Sequence, residues 1–257
     1  MRVPGAVQNV ADLDAGQIRF DTAAGEINAY AVSMRGELPA AGIVVVHEAF
    51  GLVEHVKDVA RRFAALGYAA LAPNLYSNVP AFDSTDRDAA RQAMFALHDH
   101  DAVTYLEGAA ATLRQRSGSE LPVGCIGFCS GGRQALLAAC RAQGFDAAVD
   151  CWGGWIDRGS PDAETTDTRP ERVLDMVGGL RIPLYAAFGA EDTNPSPADA
   201  AALQASAAAA GALAVVRVFD GAGHAFFADY RDTYRPEPAF VLWEDVTAFF
   251  EAHLGGR

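Results

Sequence analysis

Val123-Gly124-Cys125-Ile126-Gly127-Phe128-Cys129-Ser130-Gly131-Gly132 is an apolar run that breaks into small residues, and it sets a thiol where a buried strand turns sharply into a helix. The central residue of such a turn takes a strained backbone, so its flanking positions must be small, a demand that Gly127 and Gly131 meet. A helix expected over 132–143 aims its free N–H groups and positive end at Cys129, which favours negative charge on sulfur and points to covalent catalysis. The plainer alternative is a structural cysteine buried in a strand-to-helix turn.

A nucleophile in this setting needs an acid and a histidine downstream, each at the end of a strand. The apolar run 182–188 opens into Gly189-Ala190-Glu191-Asp192, followed by Pro195 and Pro197. Asp192 is the expected orienting acid, and the adjacent Glu191 competes for the role. The next run, 214–219, ends in Asp220-Gly221-Ala222-Gly223-His224, whose small residues let a loop carry His224 back toward the turn as general base. His98, His100 and His253 read as helix or surface residues.

Outward from these motifs, strand and helix patterns alternate. Segments 17–21 and 26–34 form a hairpin around Ala24-Gly25. Strands follow at 42–46, 68–72, 123–127, 147–152, 182–188 and 214–219. Helices are expected over 53–66, over 86–114 with a break near 98–101, over 197–210 and over 238–253. Strands separated by helices predict one α/β domain across 1–257: a mostly parallel twisted sheet, helices on both faces, and an N-terminal antiparallel hairpin. Segment 156–179, rich in Asp, Thr, Arg and Gly, departs from the pattern as either a lid or a surface excursion. Trp152 and Trp155, just before it, wall a pocket or pack in the core.

Composition narrows the function classes. The chain has 257 residues, is 51% hydrophobic and carries a formal charge of −13, which argues against nucleic acid or an anionic membrane surface as partner. The four cysteines lack metal-ligand spacing and sit in apolar segments, so a reducing, cytoplasmic compartment is expected. Residues 1–14 have neither the basic nor the apolar region of a secretory signal, and no apolar run is long enough to span a bilayer.

Val46-His47-Glu48-Ala49-Phe50-Gly51, the Gly-Phe-Cys-Ser-Gly-Gly turn and Gly221-Ala222-Gly223-His224 together resemble the dienelactone hydrolase family over most of the chain. The resemblance implies the α/β-hydrolase fold and a triad falling on Cys129, His224 and Asp192. It further implies that Glu48 contacts the resting thiol until substrate displaces it, with His47 standing where the family has glutamine. Otherwise Glu48 reads as a helix-capping or solvated acid. Ala49 and Ser130 are positioned to lend backbone N–H groups to an oxyanion hole.

The family's substrates are small lactones bearing a carboxylate. Counting back from Cys129, Arg87 falls at one of its substrate-binding arginines, and Arg91 replaces a pocket tyrosine. The second family arginine corresponds to Ala228, and Ala225 replaces a serine, so Arg231 or Arg235 would have to supply the missing cation. Phe50 is a further pocket candidate.

The reading is a thiol-dependent ester or lactone hydrolase, without metal or organic cofactor, acting on a small molecule as a monomer or small homo-oligomer. Its alternatives are a broader esterase or thioesterase on neutral substrates, and a noncatalytic ligand-binding or redox-sensing domain.

Overall fold

The computed structural model describes residues 3–118, 120–157 and 165–255. Eight strands make one sheet in the order β1-β2-β4-β3-β5-β6-β7-β8. They are β1 (Leu13–Thr22), β2 (Gly25–Met34), β3 (Gly42–Val46), β4 (Ala69–Pro73), β5 (Val123–Phe128), β6 (Ala147–Cys151), β7 (Leu184–Gly189) and β8 (Ala214–Phe219). The β1–β2 hairpin and its junction with β4 are antiparallel, and all pairings from β4 to β8 are parallel.

Burial explains the pattern. Every residue of β3, β4, β5, β6 and β7 is buried, as expected of parallel strands covered on both faces. Helices α1 (Glu54–Ala64) and α7 (Pro236–Leu254) cover one face, where Val56, Phe63, Trp243 and Phe250 pack on Ile43, Val45 and Val149. On the other face lie α2 (Arg87–Ala96), α3 (Asp99–Ser117), α4 (Ser130–Arg141), α5 (Val173–Met176) and α6 (Pro197–Ala209), packed on Val44, Leu71 and Cys125. The expected break in the 86–114 segment falls at Leu97-His98, where both residues take extended backbone.

Of the 156–179 excursion, residues 158–164 lie outside the described residues. The flanking Ile156, Arg169, Val173 and Met176 are buried against the body of the molecule. Arg169 donates to the Met94 carbonyl at 2.9 Å and lies over the rings of Phe95 and Trp155.

A buried acid sits behind α4. Asp150 on β6 is 0% exposed; its Oδ1 accepts from the Gly153 N–H at 2.7 Å, and its Oδ2 has no partner among the described residues. Burial pushes its pKa from 3.8 up to about 7, against the opposing effect of the Gly153 bond. The folded state therefore holds this proton more tightly than the unfolded chain. The resulting stabilisation is complete below the ordinary aspartate value and is lost as pH climbs through about 7. Asp150→Asn keeps the acceptor but cannot ionise. Thermal unfolding should show the parent losing about 2–3 kcal/mol between pH 5 and pH 8 relative to this variant. Parallel pH profiles would contradict the assignment.

Candidate active site

The C-terminal ends of the parallel strands bring together the residues that carry chemistry, as open α/β sheets generally do. Cys129 follows β5 directly with φ 56° and ψ −118°, and α4 starts at the next residue, two positions earlier than the pattern predicts. Neighbouring backbone dictates the glycines. A Cβ on Gly127 would stand 1.8 Å from the Gly131 carbonyl oxygen, and one on Gly131 would stand 2.5 Å from the carbonyl oxygens of Val46 and His47. The turn is thus wedged against the end of β3. Four described non-glycine residues take positive φ, namely Cys129, Trp152, Trp155 and Ala225, and all four lie in the loops after β5, β6 and β8. Strain of this kind persists only where surrounding structure holds it.

His224, in the loop after β8, stands beside the sulfur. Its Nδ1 pairs with Asp192 Oδ2 at 2.7 Å, and Asp192 Oδ1 accepts from the Asn194 N–H at 3.0 Å. Asp192 is buried and Glu191 is exposed, so of the two adjacent acids the first turns inward. Burial disfavours the charged ring, but the bond to Asp192 and the neighbouring Cys129 outweigh it and raise the His224 pKa to about 10. The raised value stabilises the imidazolium that forms when the thiol proton moves onto the ring. The other three cysteines are buried free thiols whose pKa values burial pushes up, leaving Cys129 as the accessible sulfur.

Glu48 is 2% exposed at the end of β3. Its Oε2 accepts a hydrogen bond from Arg231 Nη2, rather than contacting the thiol as the family resemblance implies, and Oε1 has no partner among the described residues. Burial opposes the charge on Arg231, but the Glu48 carboxylate more than restores it and holds the guanidinium above its ordinary value. Arg231 also lies over the rings of Phe50 and Tyr230. A cleft of about 700 Å³ opens here, lined by Phe50, Arg87, His224, Tyr230 and Arg231 among others.

The remaining sequence candidates separate. Ala49 and Ser130 are half-buried beside the turn, and neither backbone N–H has an acceptor among the described residues. Arg91 is exposed, with its guanidinium 5.7 Å from the Phe95 ring centroid, and does not line the cleft. Trp152 is 1% exposed, packed between Phe128 and Phe226, and lies beneath the site instead of walling the cleft. Ala228 is buried and Arg235 is exposed, with bonds to the Asp232 and Tyr234 carbonyls.

Sequence reasoning missed Tyr76, a buried phenol packed against the His47 ring, whose pKa burial raises. It also missed the bidentate Asp99–Arg133 pair at 2.6 and 2.9 Å, which ties α4 to the first turn of α3. Neither Tyr76 nor Arg133 lies in a recognisable motif. Spatial proximity alone reveals them.

Comparison with known proteins places the chain in a family. The model of the dienelactone hydrolase family matches residues 27–254. A candidate carboxymethylenebutenolidase of Methylorubrum extorquens is 30% identical over 94% of this chain and 82% of its own length. A Bradyrhizobium protein named as a candidate 2-oxo-3-(5-oxofuran-2-ylidene)propanoate lactonase is 30% identical over 86% of this chain and 87% of its own. The crystal structure of a candidate dienelactone hydrolase from Klebsiella pneumoniae superposes with a TM-score of 0.86 at 27% identity, covering 94% of this chain and 99% of that one. The sheet and its covering helices are those of an α/β-hydrolase, and the chain belongs to the dienelactone hydrolase family of hydrolases.

Proposed function

We propose that this protein hydrolyses small lactones or esters bearing a carboxylate, using Cys129 as nucleophile through an acyl-thioester. The observation that carries the reading is the half-buried thiol at a strained turn beside a histidine that pairs with a buried aspartate. In the first step Cys129 Sγ bonds to the carbonyl carbon, its proton passes to His224, and the carbonyl π pair moves to oxygen between the Ala49 and Ser130 N–H groups. Collapse of this intermediate breaks the C–O bond, and the departing alkoxide takes the proton from His224. Water then attacks the thioester while His224 accepts its proton, and the sulfur leaves with that proton returned. From a lactone the product is a hydroxy acid, since the alkoxide stays tethered to the acyl chain.

Arg231 is the group that supports an anionic substrate. It reaches the cleft three residues beyond the alanine that stands for the family arginine, and an incoming carboxylate competes with Glu48 for its planar fork. Arg87 adds positive charge to the same cleft. A relative named as a lactonase of an oxofuranylidene propanoate is consistent with this chemistry. Neutral esters are the second reading, favoured because Glu48 already neutralises Arg231 and Ala228 is buried.

Paired rate measurements on a neutral lactone and its carboxylate-bearing analogue decide between them. Arg231→Met should lower kcat/KM about 10- to 100-fold for the charged lactone and only a few-fold for the neutral one, the size expected of a charged hydrogen bond. Equal losses on both substrates, or a parent enzyme that prefers the neutral lactone, would favour the broader esterase. An absence of turnover on any activated ester would favour a noncatalytic domain.

A further inference from the structure

The residue before Glu48 is not part of the chemistry proposed above, yet it makes two directed bonds beside it. His47 is 1% exposed. The Leu75 N–H donates to its Nε2 at 3.0 Å, and since a backbone N–H can only donate, Nε2 is the unprotonated nitrogen. The proton therefore sits on Nδ1, which donates to the Glu48 carbonyl at 2.7 Å. That carbonyl also accepts from the Gly51 N–H at 3.1 Å. The ring packs edge-on against Tyr76 with centroids 4.6 Å apart, so it cannot swing away. Burial lowers the His47 pKa to about 4, which keeps the ring neutral and this tautomer in place through the working range of pH.

A trans peptide sets its C=O and the following N–H in opposite directions. Fixing the Glu48 carbonyl with two donors on one side therefore fixes the Ala49 N–H on the other, and that N–H has no acceptor among the described residues. The His47 carbonyl in turn abuts Gly131 in the first turn of α4, so the same short segment is braced against the helix that carries the Ser130 N–H. We propose that His47 is a positioning residue for the oxyanion hole, clamping the Glu48–Ala49 peptide so that the Ala49 N–H is aimed before substrate arrives. It never meets substrate; its contribution is preorganisation, realised when negative charge develops on the carbonyl oxygen. The inference rests on the proposed acyl-transfer reading of the site.

The test uses His47→Leu, which removes both bonds, and His47→Gln, whose amide can donate to the Glu48 carbonyl and accept from the Leu75 N–H. His47→Asn, too short to bridge both partners, replaces the leucine variant should that fail to fold. Three readouts are taken: kcat and KM on an activated aryl ester, and the rate of Cys129 alkylation by iodoacetamide, a reaction that forms no oxyanion. The leucine or asparagine variant should lose about 10- to 100-fold in kcat with KM within about twofold, part of what deleting an oxyanion donor costs. Its alkylation rate should stay within about threefold of the parent, and glutamine should recover most of kcat. Unchanged kcat in the leucine variant overturns the inference. So does an alkylation rate that falls in step with kcat, or a glutamine variant as poor as leucine. A parent protein that alkylates normally but turns over no ester sinks the acyl-transfer reading itself, a result distinguishable from any of these.

Discussion

Cys129→Ala is expected to lower kcat on an activated aryl ester by about 10⁴-fold or more while leaving thermal unfolding within a few degrees of the parent. In the proposed mechanism this substitution removes the only group that bonds covalently to substrate, which sets the size; what survives would come from the oxyanion donors and binding alone. Retention of the fold follows from the backbone. Alanine has the same Cβ as cysteine, so it meets the positive φ at this turn with no new strain, and the packing of Gly127 and Gly131 is untouched. The other thiols are buried and cannot substitute for the missing one. Circular dichroism and a melting curve alongside the kinetics separate loss of chemistry from loss of structure. A folded variant with near-parental activity would remove the thiol from the mechanism.

The largest expected effect on stability is at Asp99→Ala. Asp99 and Arg133 are 7% and 2% exposed and share two hydrogen bonds, so neither charge is solvated by water. Deleting the carboxylate strands a buried guanidinium, a change that typically costs about 3–5 kcal/mol. A second cation aggravates the loss here. Burial, and then repulsion from Arg133, push the Arg169 pKa down to about 10, and Asp99, followed by Tyr76, offsets part of this. With Asp99 absent, the buried cations Arg133 and Arg169 repel each other with less to offset them. The double variant Asp99→Leu with Arg133→Met should recover much of the loss, because apolar replacement of a whole buried pair is often neutral. Denaturant titration of the single and double variants checks both statements. A single variant as stable as the parent would mean that water reaches the pair.

Much of the architecture was legible because the central strands are buried on both faces. Segment 42–46 carries the whole of β3 as a buried apolar run, and β5 exceeds its predicted span by only one residue; 214–219 matches β8 in full although Arg217 interrupts it and only Phe219 is buried on this edge strand. The outer strand was harder. β1 begins at Leu13, before the expected Gln17; Asp14, Ala15 and Gly16 are exposed and show no alternation for a sequence to reveal, and their extended state comes from backbone pairing with Ser33, Val32 and Ala31 on β2. Pro236 starts the last helix two residues before Pro238, since the first turn tolerates proline wherever no N–H is needed.

In the site, Cys129, Asp192 and His224 were readable because each follows a strand that the pattern locates, and the sheet aligns those ends. The Glu48–Arg231 pair spans 183 residues, and the His47–Leu75 bond spans 28 between separate loops. Such contacts depend on loop conformation, which local periodicity does not encode. Arg231 was one of two arginines that could fill the gap left by Ala228, and only the course of the loop after His224 distinguishes it from Arg235. Trp152 illustrates the converse. Its place at a strand end suggested a pocket wall, but a left-handed backbone turns the indole down between Phe128 and Phe226.

The central claim is that acyl transfer passes through the sulfur of Cys129. Its most direct test is to mix the protein with a chromogenic acetate ester, quench with acid within the first turnovers, and map the added mass by peptide sequencing in the mass spectrometer. One acetyl group on Cys129, discharged by hydroxylamine at neutral pH and absent from the alanine variant, is the predicted result. Turnover with no acyl group on Cys129 at any quench time, or with the label on neighbouring Ser130 instead, would contradict it.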